Sequence, residues 1–313
     1  MIVKNLSQPC FNTTLMGVLK GVVNHYGIQL SDAMLYGGSG HAFVMNIHET
    51  LCPSGPYCWN HEPFHNLVSH LGIEMRDEGF FWNESAPAER NRIEALIRKN
   101  LDAGVPCSLV NMEHQLITGY DETGFLTAQP WPHMDFPPAR LTFGTWAELG
   151  NEIHLNFYSH PRCNAASERD AIVASLTYAV DLHRRPNRHT EAPYSVGMQA
   201  YTRWIHAMKT DTADGHGNWW NATVWSECRA RAADYFKEIA DRYPDVAAEA
   251  TQLSNDYGVI ADVLSLVSDK ALDSGAKAGL LEQAAEAESA AITRIESLIA
   301  AMTASEPDSI LST

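Results

Sequence analysis

The sequence predicts an α+β chain, with an antiparallel sheet in its first half and an all-α second half. Three observations predict it. Short apolar runs with strand character fill residues 105–158. After 165 the apolar spacing is helical throughout. Residue usage also changes near 160. Residues 1–160 hold 10 of the 14 His, 14 of the 20 Gly and 10 of the 15 Pro, whereas residues 161–313 hold 29 Ala against 9. Gly and Pro punctuate turns, and Ala is the best helix former. The change is therefore one of structure type. It divides the chain into a domain at 1–160 and a helical domain at 165–313, joined at His160-Pro161-Arg162.

The elements follow from local signals. Leu15, Val18, Leu19, Val22, Val23 and Tyr26 recur at helical spacing, and Gly27 stops that helix. Ser31-Asp32 caps a short second helix that ends at Gly37-Gly38-Ser39-Gly40. His41 to His48 alternates loosely, as a strand does. Residues 50–60 form a Pro/Gly/Cys loop, and helices follow near 62–71 and 87–103. Val105–Val110, His114–Tyr120, Phe125–Gln129 and Glu152–Tyr158 are strands, with Asp121–Gly124 as a turn. This is a meander preceded by helices. Beyond 165, helices are expected around 172–180, over Tyr194–Met208, at 222–242, at 245–269 and at 275–303, with a frayed end after Thr303. Leu281, Ala284, Ala287, Ala291, Ile295, Leu298 and Met302 form a continuous stripe, which is either core or a homodimer seam.

Charge and composition exclude several classes. The formal charge is −16, shared equally between the two parts. Phosphate backbones and anionic membrane surfaces need clustered Lys and Arg, so neither nucleic acid nor membrane is an expected partner. No apolar run approaches the roughly 20 residues of a membrane span. The first residues lack the long apolar stretch of a secretory signal. Six Cys are too sparse for a disulfide scaffold, so the expected location is the reducing cytoplasm.

One constellation carries chemistry. Cys10 stands just ahead of the first helix, where the positive end of the helix favours a thiolate. His114 opens one strand, and Gln129 closes the next across a turn, roughly opposite it. A Cys before a helix, a His on a strand and an amide on the neighbouring strand make a papain-type arrangement. The His takes the thiol proton and the third side chain fixes its tautomer. The plain alternative is a small buried Cys10 and a core His114. Gln8 and the Cys10 backbone N–H are the candidate oxyanion donors. A different cysteine chemistry, the N-terminal-nucleophile amidase, would need removal of the nine residues before Cys10.

Cys10-Phe-Asn-Thr-Thr, and then His25-Tyr-Gly-Ile-Gln-Leu-Ser-Asp-Ala-Met-Leu-Tyr-Gly-Gly-Ser-Gly, resemble the N-terminal domain family of butirosin biosynthesis protein H. His114-Gln-Leu-Ile-Thr-Gly-Tyr120 resembles that family's His-initiated strand. The resemblance covers roughly residues 5–160. It implies a papain-like fold and cysteine chemistry, related to the leader-peptide-cleaving domains of bacteriocin exporters. It also implies acyl transfer from a carrier protein to an amine. The relatives carry Asp before Pro after the second catalytic strand; here Gln129 precedes Pro130. An amide can hold an imidazole but cannot stabilise imidazolium by charge.

Other clusters carry less. Cys52, Cys58, His61 and His65 lie close together, but their spacing matches no standard zinc pattern; a packed loop, or a Cys52–Cys58 disulfide, are the other readings. Gly37-Gly38-Ser39-Gly40-His41 lacks the Lys-Ser/Thr of a phosphate loop and reads as a tight turn. His41, Trp131 and Trp219 complete the candidate substrate-binding set, with Trp219 in a Trp-rich loop suited to stacking. The basic run His183–His189 suits an acidic carrier protein or a solvated loop. The sequence therefore predicts a cysteine-dependent acyltransferase or amidase. It would act through a thioester on an amine-bearing metabolite or peptide, and no motif requires a cofactor or a metal. The alternatives are a papain-like cysteine peptidase and a non-catalytic ligand-binding protein of the same fold.

Overall fold

The computed structural model describes residues 1–304, except 152, 211 and 214. The expected fraying after Thr303 thus falls almost wholly outside the described residues, as does the expected strand start at Glu152. The helices are α1 (Thr14–His25), α2 (Asp32–Gly38), α3 (Glu62–His70), α4 (Pro87–Asp102), α5 (Glu168–Arg184), α6 (Met198–Lys209), α7 (Gly215–Arg242), α8 (Ala247–Val267) and α9 (Ser274–Ala304). The strands are β1 (Asn46–His48), β2 (Arg76–Trp82), β3 (Cys107–Asn111), β4 (Glu113–Tyr120), β5 (Gly124–Thr127), β6 (Arg140–Thr142), β7 (His154–Ser159) and β8 (Tyr194–Val196).

Two compact units result. Among the described residues, one comprises 1–31 and 68–165, the other 32–67 and 166–304. The units divide at 165/166, and residues 32–67 group with the helical unit rather than the sheet unit. Their interior explains this. The Arg229 guanidinium on α7 donates to the carbonyls of Ala42 and Val44 at 3.0 and 2.8 Å. Asn46 also sits in β1, which pairs with β8.

The sheet unit holds one curled antiparallel sheet in the order β2-β7-β3-β4-β5-β6. β3 to β6 form the expected meander, and β7 returns to the other side of β3. β2 and β6 were not foreseen. β6 has only three residues. β2 is an edge strand that opens Arg76-Asp-Glu and carries a bulge between Asp77 and Gly79, two devices that blunt an edge and also hide its alternation. α1 packs on β4, burying Leu15, Val18, Leu19, Val22 and Val23. At about 1.5–3 kcal/mol per buried aliphatic side chain, that face fixes the helix more firmly than propensity does.

The second unit is helical except for the β1–β8 pair. The stretch expected as one helix from Tyr194 splits at Gly197, whose φ of +59° suits glycine and breaks the run. α7 begins at Gly215, seven residues before its expected start. Tertiary hydrogen bonds carry it there: Trp204 Nε1 donates to Asn218 Oδ1 at 2.8 Å, and Asn218 Nδ2 donates to Val267 O at 3.2 Å. In the α9 stripe Leu281, Ala284, Ala291, Ile295, Leu298 and Met302 are buried within the single chain, and Ala287 is half-buried. The stripe is core.

Candidate active site

The segment ahead of α1 runs back along β4. Val3 N–H donates to Thr118 O and Tyr120 N–H to Met1 O, both at 2.9 Å, and Ile2 bridges Gly119. Further along, the Gln8 side chain takes over as the strand partner. Its Nε2 donates to His114 O at 2.9 Å, and its Oε1 accepts from Leu116 N–H at 2.8 Å. The amide thus reproduces a backbone ladder pair. Its second hydrogen goes to Thr14 O at 3.3 Å. Close approach is what permits this: a Cβ at Gly17 would lie 2.8 Å from Pro9 O, and one at Gly21 would lie 2.4 Å from Ser7 O.

A second pin follows at the start of α1. The Thr14 hydroxyl accepts from His114 N–H at 3.1 Å and donates to Glu113 Oε2 at 2.7 Å. Cys10 lies between the two pins, two residues after Gln8. At no more than roughly 3.6 Å of chain per residue, its Cα stays within about 7 Å of that of Gln8. Cys10 is an exposed free thiol, so the reading of it as a small buried residue does not hold. α1 starts four residues later, at Thr14. The helix field falls off within its first turn, so it does little for Cys10.

His114 is buried in β4. Leu116 meets α1 at Gly21, and strand side chains alternate, so His114 shares the α1 face with Leu116. Ser108, paired with Leu116, shares it too; its hydroxyl is bonded to His160 Nε2 at 2.7 Å, a buried polar pair within the unit.

The other candidates are placed as follows. The β4–β5 ladder has Ile117 opposite Thr127, after a bulge near Thr118. Carried outward two residues, that register puts Gln115, not His114, opposite Gln129. A one-residue offset exchanges faces, and β5 has already ended at Thr127. The Gln129 amide donates to Pro137 O, within the connection to β6. Gln115 and Thr127 hold the same connection through Pro138 O, at 2.9 and 2.6 Å. Trp131 begins a turn in that connection, with Met134 N–H donating to its carbonyl. Both hydrogens of Gln8 Nε2 are committed to carbonyls, so an oxyanion role requires release of one of them.

His41 and Trp219 belong to the helical unit. His41 has no exposed surface. Tyr36, Trp59, Phe64 and Trp225 cage its ring, and Nδ1 lies 3.5 Å from Cys228 Sγ. Burial, with His61 and Arg229 nearby, lowers its pKa to about 3, so it is a neutral core histidine. Trp219 lies in the first turns of α7 rather than in a loop. Lys270 Nζ covers its ring at 5.1 Å. The basic run is already partly paired: Arg184 with Glu296, and Arg185 and His189 with Asp181. Among the described residues, no group of three or more His, Cys, Asp or Glu is arranged to hold a metal ion.

One cluster escaped the sequence reading. Arg229 and Glu288 are fully buried and joined twice, at 2.6 and 3.1 Å, and the Tyr201 hydroxyl donates to Glu288 at 2.6 Å. Burial alone would raise the Glu288 carboxyl pKa, but Arg229 and His183 outweigh it and hold it near 2. The signal was an acid seven residues after Leu281, on the apolar stripe. Thr14 and Glu113 were also missed, because a polar side chain that pins backbone leaves no periodic mark. No protein-family model matches the chain, and no curated protein matches it.

Proposed function

We propose that the sheet unit is a papain-like cysteine enzyme that transfers or hydrolyses acyl groups through a thioester on Cys10. The observation that supports this most is the double pinning of the segment bearing exposed Cys10 to β4, near whose start His114 lies. Gln8 and Thr14 both bond to the His114 backbone, on either side of Cys10 in sequence. Such pinning is what a nucleophile and its base need, because their separation then does not drift with loop motion.

In this reading the His114 ring accepts the Cys10 proton, and the sulfur attacks the acyl carbonyl. The tetrahedral oxyanion collapses, the leaving group takes the proton back from His114, and a thioester remains. An amine or water then attacks it, again handing a proton to His114, and Cys10 is released as thiol. The acceptor is an amine-bearing metabolite or a peptide. An acidic acyl carrier protein is the proposed donor.

The N-terminal-nucleophile route has less support, since loss of residues 1–9 would strip β4 of the bonds from Met1, Val3 and Gln8. The test is direct. The chain is incubated with a small aminoacyl thioester and its intact mass is followed. One acyl adduct mapped to Cys10, absent in Cys10→Ser and strongly slowed in His114→Ala, is the expected result. No adduct at Cys10, or an equal rate in His114→Ala, overturns the reading.

A further inference from the structure

The loop between β1 and α3 brings two thiols to one pair of hydroxyls. Ser54 Oγ donates to Cys52 Sγ at 2.9 Å and lies 2.8 Å from the Tyr194 hydroxyl. The Cys58 thiol lies beside the same Tyr194 hydroxyl. Both thiols thus border the same pair of hydroxyls. Burial first, and the neighbouring Cys58 second, push the Tyr194 phenol up to about 12, so it stays protonated and donates to Ser54 Oγ, whose own hydrogen is committed to Cys52.

The backbone beneath is fixed from the other side. Buried Asn46 donates through Nδ2 to the carbonyls of Gly55 and Cys58, both at 2.8 Å, and Asn221 Nδ2 donates to Cys52 O at 3.3 Å. Two tight turns fold the loop back on itself, with Gly55 N–H donating to Cys52 O and Cys58 N–H to Ser54 O. Cys58 is exposed and Cys52 partly so. Of the other cysteines, Cys107 and Cys228 are buried, Cys163 is bonded to Ser69 O at 3.3 Å, and Cys10, though exposed, belongs to the sheet unit.

We propose that Cys52 and Cys58 form a reversible redox site, which a low-molecular-weight disulfide such as oxidised glutathione converts into an intramolecular disulfide. The Cys58 thiolate attacks one sulfur of the small disulfide. That S–S bond breaks, and the first small thiolate departs with the proton that Cys58 gave up. Cys52, deprotonated in turn, attacks the Cys58 sulfur of the mixed disulfide. The Cys52–Cys58 bond forms, and the second small thiol leaves with the Cys52 proton. Two protein thiols are oxidised and one small disulfide is reduced to two thiols. The new bond replaces the Ser54 and Tyr194 contacts of both sulfurs. This site is independent of the chemistry proposed for Cys10.

The test uses the full chain in glutathione buffers of increasing oxidation, quenched in acid and mapped by mass spectrometry without reduction. A cross-linked peptide joining Cys52 to Cys58 within one chain, lighter by two hydrogens and reversed by dithiothreitol, is expected. In Cys52→Ser, Cys58 should instead accumulate as a stable glutathione adduct. Recovery of Cys52 and Cys58 in the parent chain as free thiols, as two separate adducts or as a cross-link between chains overturns the proposal.

Discussion

Replacing Glu288 by Ala breaks the buried ion pair and removes the carboxylate that Tyr201 and His183 also face. Arg229 and Glu288 are both fully excluded from solvent. The substitution removes the acceptor of Arg229 Nε–H and Nη2–H and of the Tyr201 hydroxyl, while Arg229 keeps its bonds to Ala42 O and Val44 O. An unpaired buried charge of this kind costs about 3–5 kcal/mol. The lost Tyr201 bond places the expected loss at the upper end of that range. Against a usual domain stability of about 5–15 kcal/mol, this is a large fraction. The double variant Arg229→Met/Glu288→Leu removes the charge as well and should recover much of the loss. It would still leave the Ala42 and Val44 carbonyls without their donor, at about 1–3 kcal/mol. Urea unfolding followed by far-UV circular dichroism reads the helical unit directly. A loss below about 1 kcal/mol in Glu288→Ala, or a double variant no more stable than the single, would mean that Arg229 and Glu288 are not a dry pair in solution.

Two further outcomes follow from the same physics. His41 has a folded pKa lowered to about 3, against about 6.5 for an unfolded histidine, so the unfolded chain binds the extra proton. Its contribution is therefore complete above pH 6.5 and is lost as pH falls toward 3, at about 1.4 kcal/mol per pH unit. His41→Phe should flatten that slope in urea midpoints between pH 6.5 and 4, and parallel curves for the two proteins would contradict it. Gln8→Ala should cost about 2–4 kcal/mol, because His114 O and Leu116 N–H lose their partner in a buried strand. Native-state hydrogen exchange of the Leu116 amide should accelerate in that variant, and an unchanged rate would show that Gln8 is not its partner in solution.

What was legible in the sequence was whatever repeats. α1, α4, α5 and α9 each show apolar residues at helical spacing over more than two turns, and the structure has a helix at each. Elements fixed by tertiary pairing were not legible. β8 has three residues and exists because β1 lies beside it, and β2 has a polar opening and a bulge. The membership of residues 32–67 in the helical unit depends on Arg229 and on the β1–β8 pair, contacts between residues far apart in the chain. Within the candidate site, the position of Cys10 ahead of α1 and of His114 at the head of β4 followed from helix and strand signals. The partner of Gln129 did not. A bulge near Thr118 moves the register by one residue, and nothing in the local composition announces it. Gln8, Thr14 and Glu113 form a lattice of side chain to backbone bonds, which only the folded chain assembles.

Activation of Cys10 by His114 shows in the rate at which Cys10 is alkylated. Iodoacetamide reacts with the thiolate, and Cys58 serves as an exposed internal reference in the same chain. At about pH 7 the account predicts that Cys10 is carboxamidomethylated at least about tenfold faster than Cys58, and that His114→Ala brings the two rates together. Equal rates in the parent chain, unchanged in His114→Ala, would contradict it.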